Sequence, residues 1–133
     1  KIAGAVKENR ISYALEGIKS IFAGVPYNNF DAGKEASYHS LIHIIFVLLL
    51  DNIGGQQQTN RGRIDEIIET GSHIYIFEFK MEDCRKALAQ IHEKKYYEPF
   101  LVKNKPIILI GVSFSRDARN IQQWVIEPLR RGK

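Results

Sequence analysis

The chain has 133 residues, of which 44% are hydrophobic and 26% are charged. These proportions are close to those of soluble globular proteins, and they exclude a disordered chain or a coiled coil. A chain of this length can build a real hydrophobic core, so we assign residues 1–133 to a single domain. The one cysteine, Cys84, excludes an internal disulfide and a zinc ribbon, and it suits a reducing compartment.

The sequence gives no sign of a membrane segment. The longest apolar run, Leu41–Leu50, is too short to cross a bilayer, and no leader peptide opens the chain. We therefore expect a cytoplasmic protein. The first residue is Lys1 rather than methionine, which suggests a piece of a longer protein. The formal net charge of +4 is compatible with a polyanionic partner, although many basic proteins bind no nucleic acid.

The N-terminal part of the chain predicts two helices. Apolar residues at helical spacing predict the first over Val6–Phe22, and residues 1–22 are a candidate link to a missing N-terminal region. The second, Lys34–Asp51, is nearly apolar on all sides after Leu41, so we expect a sheet to cover it. Its residues predicted to be buried are Ile42, Ile45, Phe46 and Leu49.

The centre of the chain predicts a β-hairpin. Arg61–Glu69 and Ile74–Lys80 are rich in β-branched and aromatic residues, and "TGSH" separates them. A short strand over Gln56–Thr59 is expected to precede this hairpin.

The C-terminal part predicts a helix, a strand and a last helix. The third helix covers Asp83–Tyr97, with Asp83 as its N-cap. Pro106–Phe114 is a continuous apolar run, typical of a central strand covered on both faces. A fourth helix over Ala118–Glu127 is expected to end before Pro128. A helical crossover between the hairpin and the final strand makes their pairing parallel, which predicts an α/β sandwich with a mixed central sheet and helices on both faces.

Charged residues interrupt the apolar pattern of the hairpin. If its loop is Thr70–His73, stepping outward along the strands places Asp65 opposite Glu78, with Lys80 on the same face. Facing carboxylates repel each other unless a divalent cation lies between them, and Mg²⁺ prefers one or two carboxylates plus water and phosphate oxygens. The alternative is a surface hairpin in which Lys80 bridges both acids, and spacing alone does not separate the two. The expected pairs are Glu69 with Ile74, Ile67 with Ile76, Asp65 with Glu78, and Arg63 with Lys80.

"GRID" followed by "FEFK" resembles the signature of the PD-(D/E)XK nuclease superfamily, in which an acid ends one strand and a Glu-x-Lys triplet lies on the next. One bacterial branch, found C-terminal to an ATPase-like domain, is similar over about Phe22–Trp124. The resemblance implies a restriction-endonuclease-like three-layer sandwich. The further matching segments are "FAGVPY", "EASYHSL", "TNRGRIDEIIE", "YIFEFK", "ALAQIHEKKY" and "IILIGVSFSRDARNIQQW".

The resemblance also implies roles for single residues. Asp65 and Glu78 would bind Mg²⁺ or Mn²⁺, and Lys80 would orient the attacking water and stabilise charge on the phosphate. Glu35 on the second helix and Gln90 in "ALAQI" match further polar residues that often face the site. An acid is expected near "QQQT", where this chain has only glutamines, so a second metal site would be weaker.

Arg63, Lys94 and Tyr96 are candidate nucleic-acid contacts. "EKKYYEPF" interleaves basic and aromatic residues, which could hold a backbone and stack bases. The alternative is a solvated helix end whose aromatic residues pack on the sheet.

The second predicted helix also contains two histidines. His39 and His43 have a spacing that can hold zinc, but no third ligand is evident, so we interpret them as core or boundary residues. His39 shares a helix face with Glu35 and could line the same cleft. Cys84 lacks a histidine and acid arrangement and is interpreted as inert.

Two functions remain open at this point. The first is a metal-dependent nuclease that hydrolyses phosphodiester bonds, with DNA rather than RNA as the expected substrate. The alternative is a non-catalytic nuclease-fold module that binds nucleic acid or an ATPase-like domain in the same longer chain. The complete set of signature residues favours the first, and the missing acid in "QQQT" favours the second. A homodimer is compatible with either function.

Overall fold

The computed structural model describes residues 2–24, 40–41, 43–45, 47, 56–57 and 66–130. The elements in chain order are α1 (Ile2–Lys7), α2 (Ile11–Ala23), β1 (Gln56–Gln57), β2 (Glu66–Glu69), β3 (Ile74–Met81), α3 (Cys84–Lys94), a 3-10 helix (Glu98–Lys103), β4 (Ile107–Ser115) and β5 (Asn120–Pro128). The described residues between 40 and 47 are helical as well.

Within the described residues, five strands form one mixed sheet with the order β1-β2-β3-β4-β5. β3 and β4 pair in parallel, whereas the other neighbouring strands are antiparallel. The connection between the two parallel strands contains α3, as a parallel pair requires a crossover. The predicted mixed sheet is confirmed.

Alternation along β3 sends its side chains into two separate cores. On one face, Tyr75, Phe77 and Phe79 pack with residues of α1 and α2. On the other face, Ile74 and Ile76 pack with residues of α3 and the 3-10 helix. Helices therefore cover both faces of the sheet, as predicted, and any charged residue in the middle of β3 lies inside the protein.

The predicted N-terminal helix is two helices. α1 ends at Lys7 and α2 begins at Ile11, and between them Asn9 has a φ of 60°, in the left-handed region. Asparagine tolerates this conformation better than most residues and breaks the helical run here. The apolar stripe predicted from the spacing is nonetheless buried: Ile11, Leu15, Ile18 and Phe22.

The α3 helix begins where the sequence predicted. One carboxylate oxygen of Asp83 accepts the backbone N–H groups of Arg85 at 3.0 Å and Lys86 at 3.4 Å, which makes it the N-cap. Gly111 of β4 lies directly beneath the helix. A Cβ atom there would collide with the carbonyl oxygen of Cys84 and lie 2.7 Å from the nitrogen of Leu88. The absence of a side chain at Gly111 thus lets α3 pack closely on the sheet.

The prediction of a helix over Ala118–Glu127 is wrong, because this segment forms β5 and pairs antiparallel with β4. A β-bulge at Ser113/Phe114 inserts one extra residue into β5. As a result Ile121 and Trp124, three residues apart, both face the core that contains α2. This bulge produces the spacing that resembles a helix.

The second predicted helix is only partly described. Ile45 is buried, as expected, whereas Ile42, Phe46 and Leu49 lie outside the described residues. Two apolar residues that were not predicted to be buried, Ile44 and Val47, are 54% and 44% exposed, so one side of the described part of this helix is open. In the described ranges, no helix combines the length and apolar character needed to cross a membrane.

Candidate active site

Glu78 is a charged residue in a strand that is buried on both faces. It is 3% exposed, and its flanking residues Phe77 and Phe79 point into the opposite core. Its Oε1 atom is buried as well. Burial of a carboxylate costs free energy that hydrogen bonds or a cation must offset. Glu78 is therefore a candidate functional residue, and its contacts decide which role it has.

Gln90 of α3 reaches this carboxylate. Its amide nitrogen, Nε2, donates to Oε2 of Glu78 at 2.7 Å and to Oη of Tyr96 at 3.1 Å. The two acceptors together orient the amide group. The structure thus brings Gln90 to Glu78, as the resemblance implied, and its part in catalysis stays a prediction.

Tyr96 lies behind the site and not on its surface. It is 7% exposed and belongs to the core beneath α3, so its ring offers no free face to a nucleobase. Lys95 adopts a left-handed conformation as the C-cap of α3, and the Tyr96 N–H bonds back to the carbonyl of Ile91 at 3.2 Å. This turn directs Tyr96 inward. Tyr96 therefore contacts Gln90 and does not stack on a base, contrary to the expectation. Lys94 is exposed, and its contact with nucleic acid stays a prediction.

Lys80 follows Glu78 by two residues on β3, and the two side chains therefore point to the same face. Lys80 is half-buried, and its register partner in β4 is Ser113. It makes no hydrogen bond or ion pair with any other described residue. Its ammonium group is consequently available to a ligand at this face.

The described part of the hairpin has the register that the sequence predicted. Glu69 pairs with Ile74 and Ile67 pairs with Ile76. The loop closes with the N–H of Thr70 donating to the carbonyl of His73 at 2.9 Å. The remaining candidates Asp65, Arg63, Glu35 and His39 lie outside the described residues, and their positions stay predictions. Two of the three glutamines in "QQQT" form β1, beside β2.

Glu66 is a second buried carboxylate, and the sequence pattern did not predict it. The side chain of Glu66 is 0% exposed, and its Oε2 lies 2.8 Å from Nδ1 of His43. Glu66 pairs with Phe77 and so faces away from Glu78. The contact ties the described helical residues around position 43 to β2. Successive side chains of a strand point to opposite faces, so Glu66 shares a face with the buried Ile68, and this was the signal that could have revealed it. His43 was interpreted as a core or boundary residue, but its side chain is 51% exposed.

Two groups at structural contacts have shifted pKa values. Hydrogen bonding by Lys105 lowers the pKa of Glu69 against the opposing effect of burial, and Lys103 adds to the lowering. Burial raises the pKa of Tyr75 to about 12. The hydroxyl of Tyr75 donates to Oδ1 of Asn9 at 2.9 Å, which fastens the start of the chain to the sheet.

The donor chemistry around Glu78 fits a hard divalent cation, since Mg²⁺ and Mn²⁺ prefer carboxylate, amide and water oxygens. No group of three or more His, Cys, Asp or Glu side chains able to hold a metal ion occurs within the described parts of the chain. A magnesium site does not need such a group, because one or two carboxylates with water and phosphate oxygens suffice.

Comparison with known proteins agrees with this geometry. The profile of the PD-(D/E)XK nuclease superfamily matches residues 33–124. An uncharacterized protein in the vnfD 5′ region of Azotobacter chroococcum mcd 1 is 34% identical over 117 residues, which cover 83% of this chain and 23% of that protein. The chain therefore spans about a quarter of the length of this curated relative. No solved structure matches the chain.

Proposed function

Because the chain belongs to the PD-(D/E)XK nuclease superfamily, we propose that it is a metal-dependent nuclease that hydrolyses phosphodiester bonds, with DNA as the expected substrate. One observation carries the proposal: the buried carboxylate of Glu78 is held by Gln90, on the face of β3 that also carries Lys80. A buried acid, a positioned amide and an available ammonium group suit phosphoryl chemistry.

The proposed metal ligands are Glu78 and Asp65. Asp65 directly precedes β2, and one further step of the described register would place it opposite Glu78. Mg²⁺ or Mn²⁺ bound there would supply positive charge that polarises the scissile phosphate. Gln90 would keep the Glu78 carboxylate in one orientation, because its amide is fixed by two acceptors.

Lys80 has a different part in the proposed reaction. Its ammonium group would lie where negative charge builds up on the phosphate, and it would orient the attacking water. A fixed positive charge of this kind needs no reorganisation when the reaction occurs. The reaction therefore requires no histidine as general base. We place the protein in the cytoplasm, with an ATPase-like domain of the same longer chain as a further proposed partner.

The test is a cleavage assay with Mg²⁺ or Mn²⁺ on single-stranded and double-stranded DNA and on RNA. The wild-type chain is compared with Lys80→Ala and with Lys86→Ala, whose lysine is exposed on α3. We expect the wild type and Lys86→Ala to cleave and Lys80→Ala to lose most activity. Metal binding without cleavage of any substrate would overturn the nuclease proposal and leave the non-catalytic module.

A further inference from the structure

A groove of about 770 Å³ runs beside β5, the end strand of the described sheet. We call it the β5 groove. β5 provides one wall with Gln122, Gln123 and Trp124. The other walls come from α2, through Lys19, and from the first turn of α3, through Arg85. Nothing in the proposed hydrolysis uses these residues.

The β-bulge connects this groove to the candidate active site. Ser113 is the register partner of Lys80, and it is fully buried. Its hydroxyl donates to Oε1 of Gln122 at 3.1 Å. Because the side-chain oxygen of Gln122 accepts this bond, its amide nitrogen remains as a donor. Gln122 is exposed and lines the groove. β-Bulges often change the direction of a side chain beside an active site. Here Ser113 of β4 lies between Lys80 of β3 and the groove residues of β5.

The charges of the groove do not favour a run of phosphates. Among the described residues that line the groove, two are basic, Lys19 and Arg85, and three are acidic, Glu16, Glu82 and Asp83. Glu82 and Asp83 already accept backbone N–H groups. Phosphate tracks require an excess of basic residues. The groove suits a nucleobase instead. The amide and guanidinium groups can form hydrogen bonds with the edge of a base, and the indole of Trp124 can stack on its face.

We propose that the β5 groove binds an unpaired nucleobase of the substrate strand, next to the phosphate that is cleaved. This inference rests on the proposed function and makes it more specific, since it assigns the site to single-stranded nucleic acid or to frayed ends. A base paired in a duplex is stacked between its neighbours, whereas an unpaired base can be splayed into a pocket. Trp124 is held in place at the groove by its Nε1, which donates to Oγ of Ser12 at 3.1 Å.

Trp124 is the only tryptophan of the chain, so its fluorescence reports on the groove directly. The 133-residue chain is titrated in EDTA, which prevents metal-dependent cleavage, with oligothymidylate and with an abasic oligonucleotide of equal length and charge. We expect oligothymidylate to quench Trp124 and to bind roughly tenfold more tightly than the abasic strand, as one base contact allows. Equal affinity for both strands would overturn the proposal.

Two neighbouring residues of α3 provide matched variants. Arg85→Ala and Lys86→Ala each remove one positive charge from an exposed position, but only Arg85 lines the groove. We expect Arg85→Ala to weaken oligothymidylate binding roughly fivefold and Lys86→Ala to leave it unchanged. An equal loss in both variants would show attraction by charge alone and would contradict a base-binding groove.

Cleavage assays separate this inference from the proposed function. Selective quenching by oligothymidylate without cleavage in Mg²⁺ would keep the groove as a base-binding site and refute the nuclease. Cleavage of single-stranded and double-stranded DNA at equal rates, with no quenching of Trp124, would keep the nuclease and refute the groove.

Discussion

The amide nitrogen of Gln90 lies 2.7 Å from the Glu78 carboxylate, and this hydrogen bond joins α3 to the centre of β3. It depends on the close packing of α3 over Gly111, where any side chain would collide with the helix backbone. The geometry of the candidate site is therefore set by how the helix lies on the sheet, and a change in helix packing would displace the amide from the acid.

This relationship predicts the effect of removing the amide. Gln90→Ala should lower Mn²⁺ affinity or the cleavage rate by roughly 10–100-fold, as loss of a partner that orients a metal ligand commonly does. Tyr96→Phe should cause a smaller loss, because it removes one of the two acceptors that orient Gln90. Tyr97→Phe, at the neighbouring half-buried tyrosine, is the control. Calorimetric Mn²⁺ titration and initial rates measure both effects, and equal losses in the two tyrosine variants would contradict the positioning role.

Glu78→Gln should separate stability from activity. The substituted amide oxygen can still accept from Gln90, while a buried charge is removed. In EDTA we expect the free energy of unfolding to stay the same or rise by about 1 kcal/mol, although cleavage is lost. Urea unfolding checks this, and added Mn²⁺ should stabilise only the wild type. A loss of more than about 2 kcal/mol in EDTA would identify Glu78 as a structural residue.

The pairing of Glu69 predicts a dependence of stability on pH. Lys105 and Lys103 lie 2.6 Å and 3.0 Å from its carboxylate and lower its pKa below the ordinary value of 4.5. Because the folded pKa is the lower one, the stabilisation is present above pH 4.5 and is lost as the pH falls through the folded pKa.

Glu69→Gln should remove this contribution. At neutral pH the variant should be less stable by no more than about 1 kcal/mol, because both ammonium groups are partly exposed. The difference from the wild type should shrink as the pH falls below 4.5. Urea unfolding across this range measures it, with Glu93→Gln on the exposed side of α3 as the control. A difference that does not change with pH would contradict the ion-pair explanation.

The sequence was sufficient to predict those features that depend on a contact between residues close together in the chain. The "TGSH" loop is closed by the bond between Thr70 and His73, and counting outward from it gives the pairing of Ile67 with Ile76. The cap of α3 at Asp83 depends on two backbone groups within three residues. Such features need no knowledge of the rest of the fold.

Features that depend on distant residues were not predictable in this way. β5 was predicted as a helix because the extra residue at its bulge gives its apolar residues a helical spacing. The bulge forms where β5 pairs with β4, so the sequence of β5 alone does not reveal it. The burial of Tyr96 follows from a left-handed turn at Lys95 that overrides the basic, exposed character of the helix end. The contact of Glu66 with His43 joins residues 23 positions apart. In each case tertiary packing outweighed the local pattern.

The two remaining signature residues should fail in different ways when substituted. Lys80→Ala leaves the proposed carboxylate ligands in place and removes a positive charge that would repel the cation, so we expect nearly normal Mn²⁺ binding. Cleavage should nonetheless fall by roughly 10²–10³-fold, since fixed positive charge is lost where negative charge develops on the phosphate. Asp65→Asn should instead weaken Mn²⁺ binding itself and lose cleavage for that reason. Calorimetric titration paired with cleavage rates distinguishes the two routes, and Lys86→Ala serves as the charge control. If Lys80→Ala and Asp65→Asn both left the cleavage rate unchanged, the reaction would not take place at this face of β3.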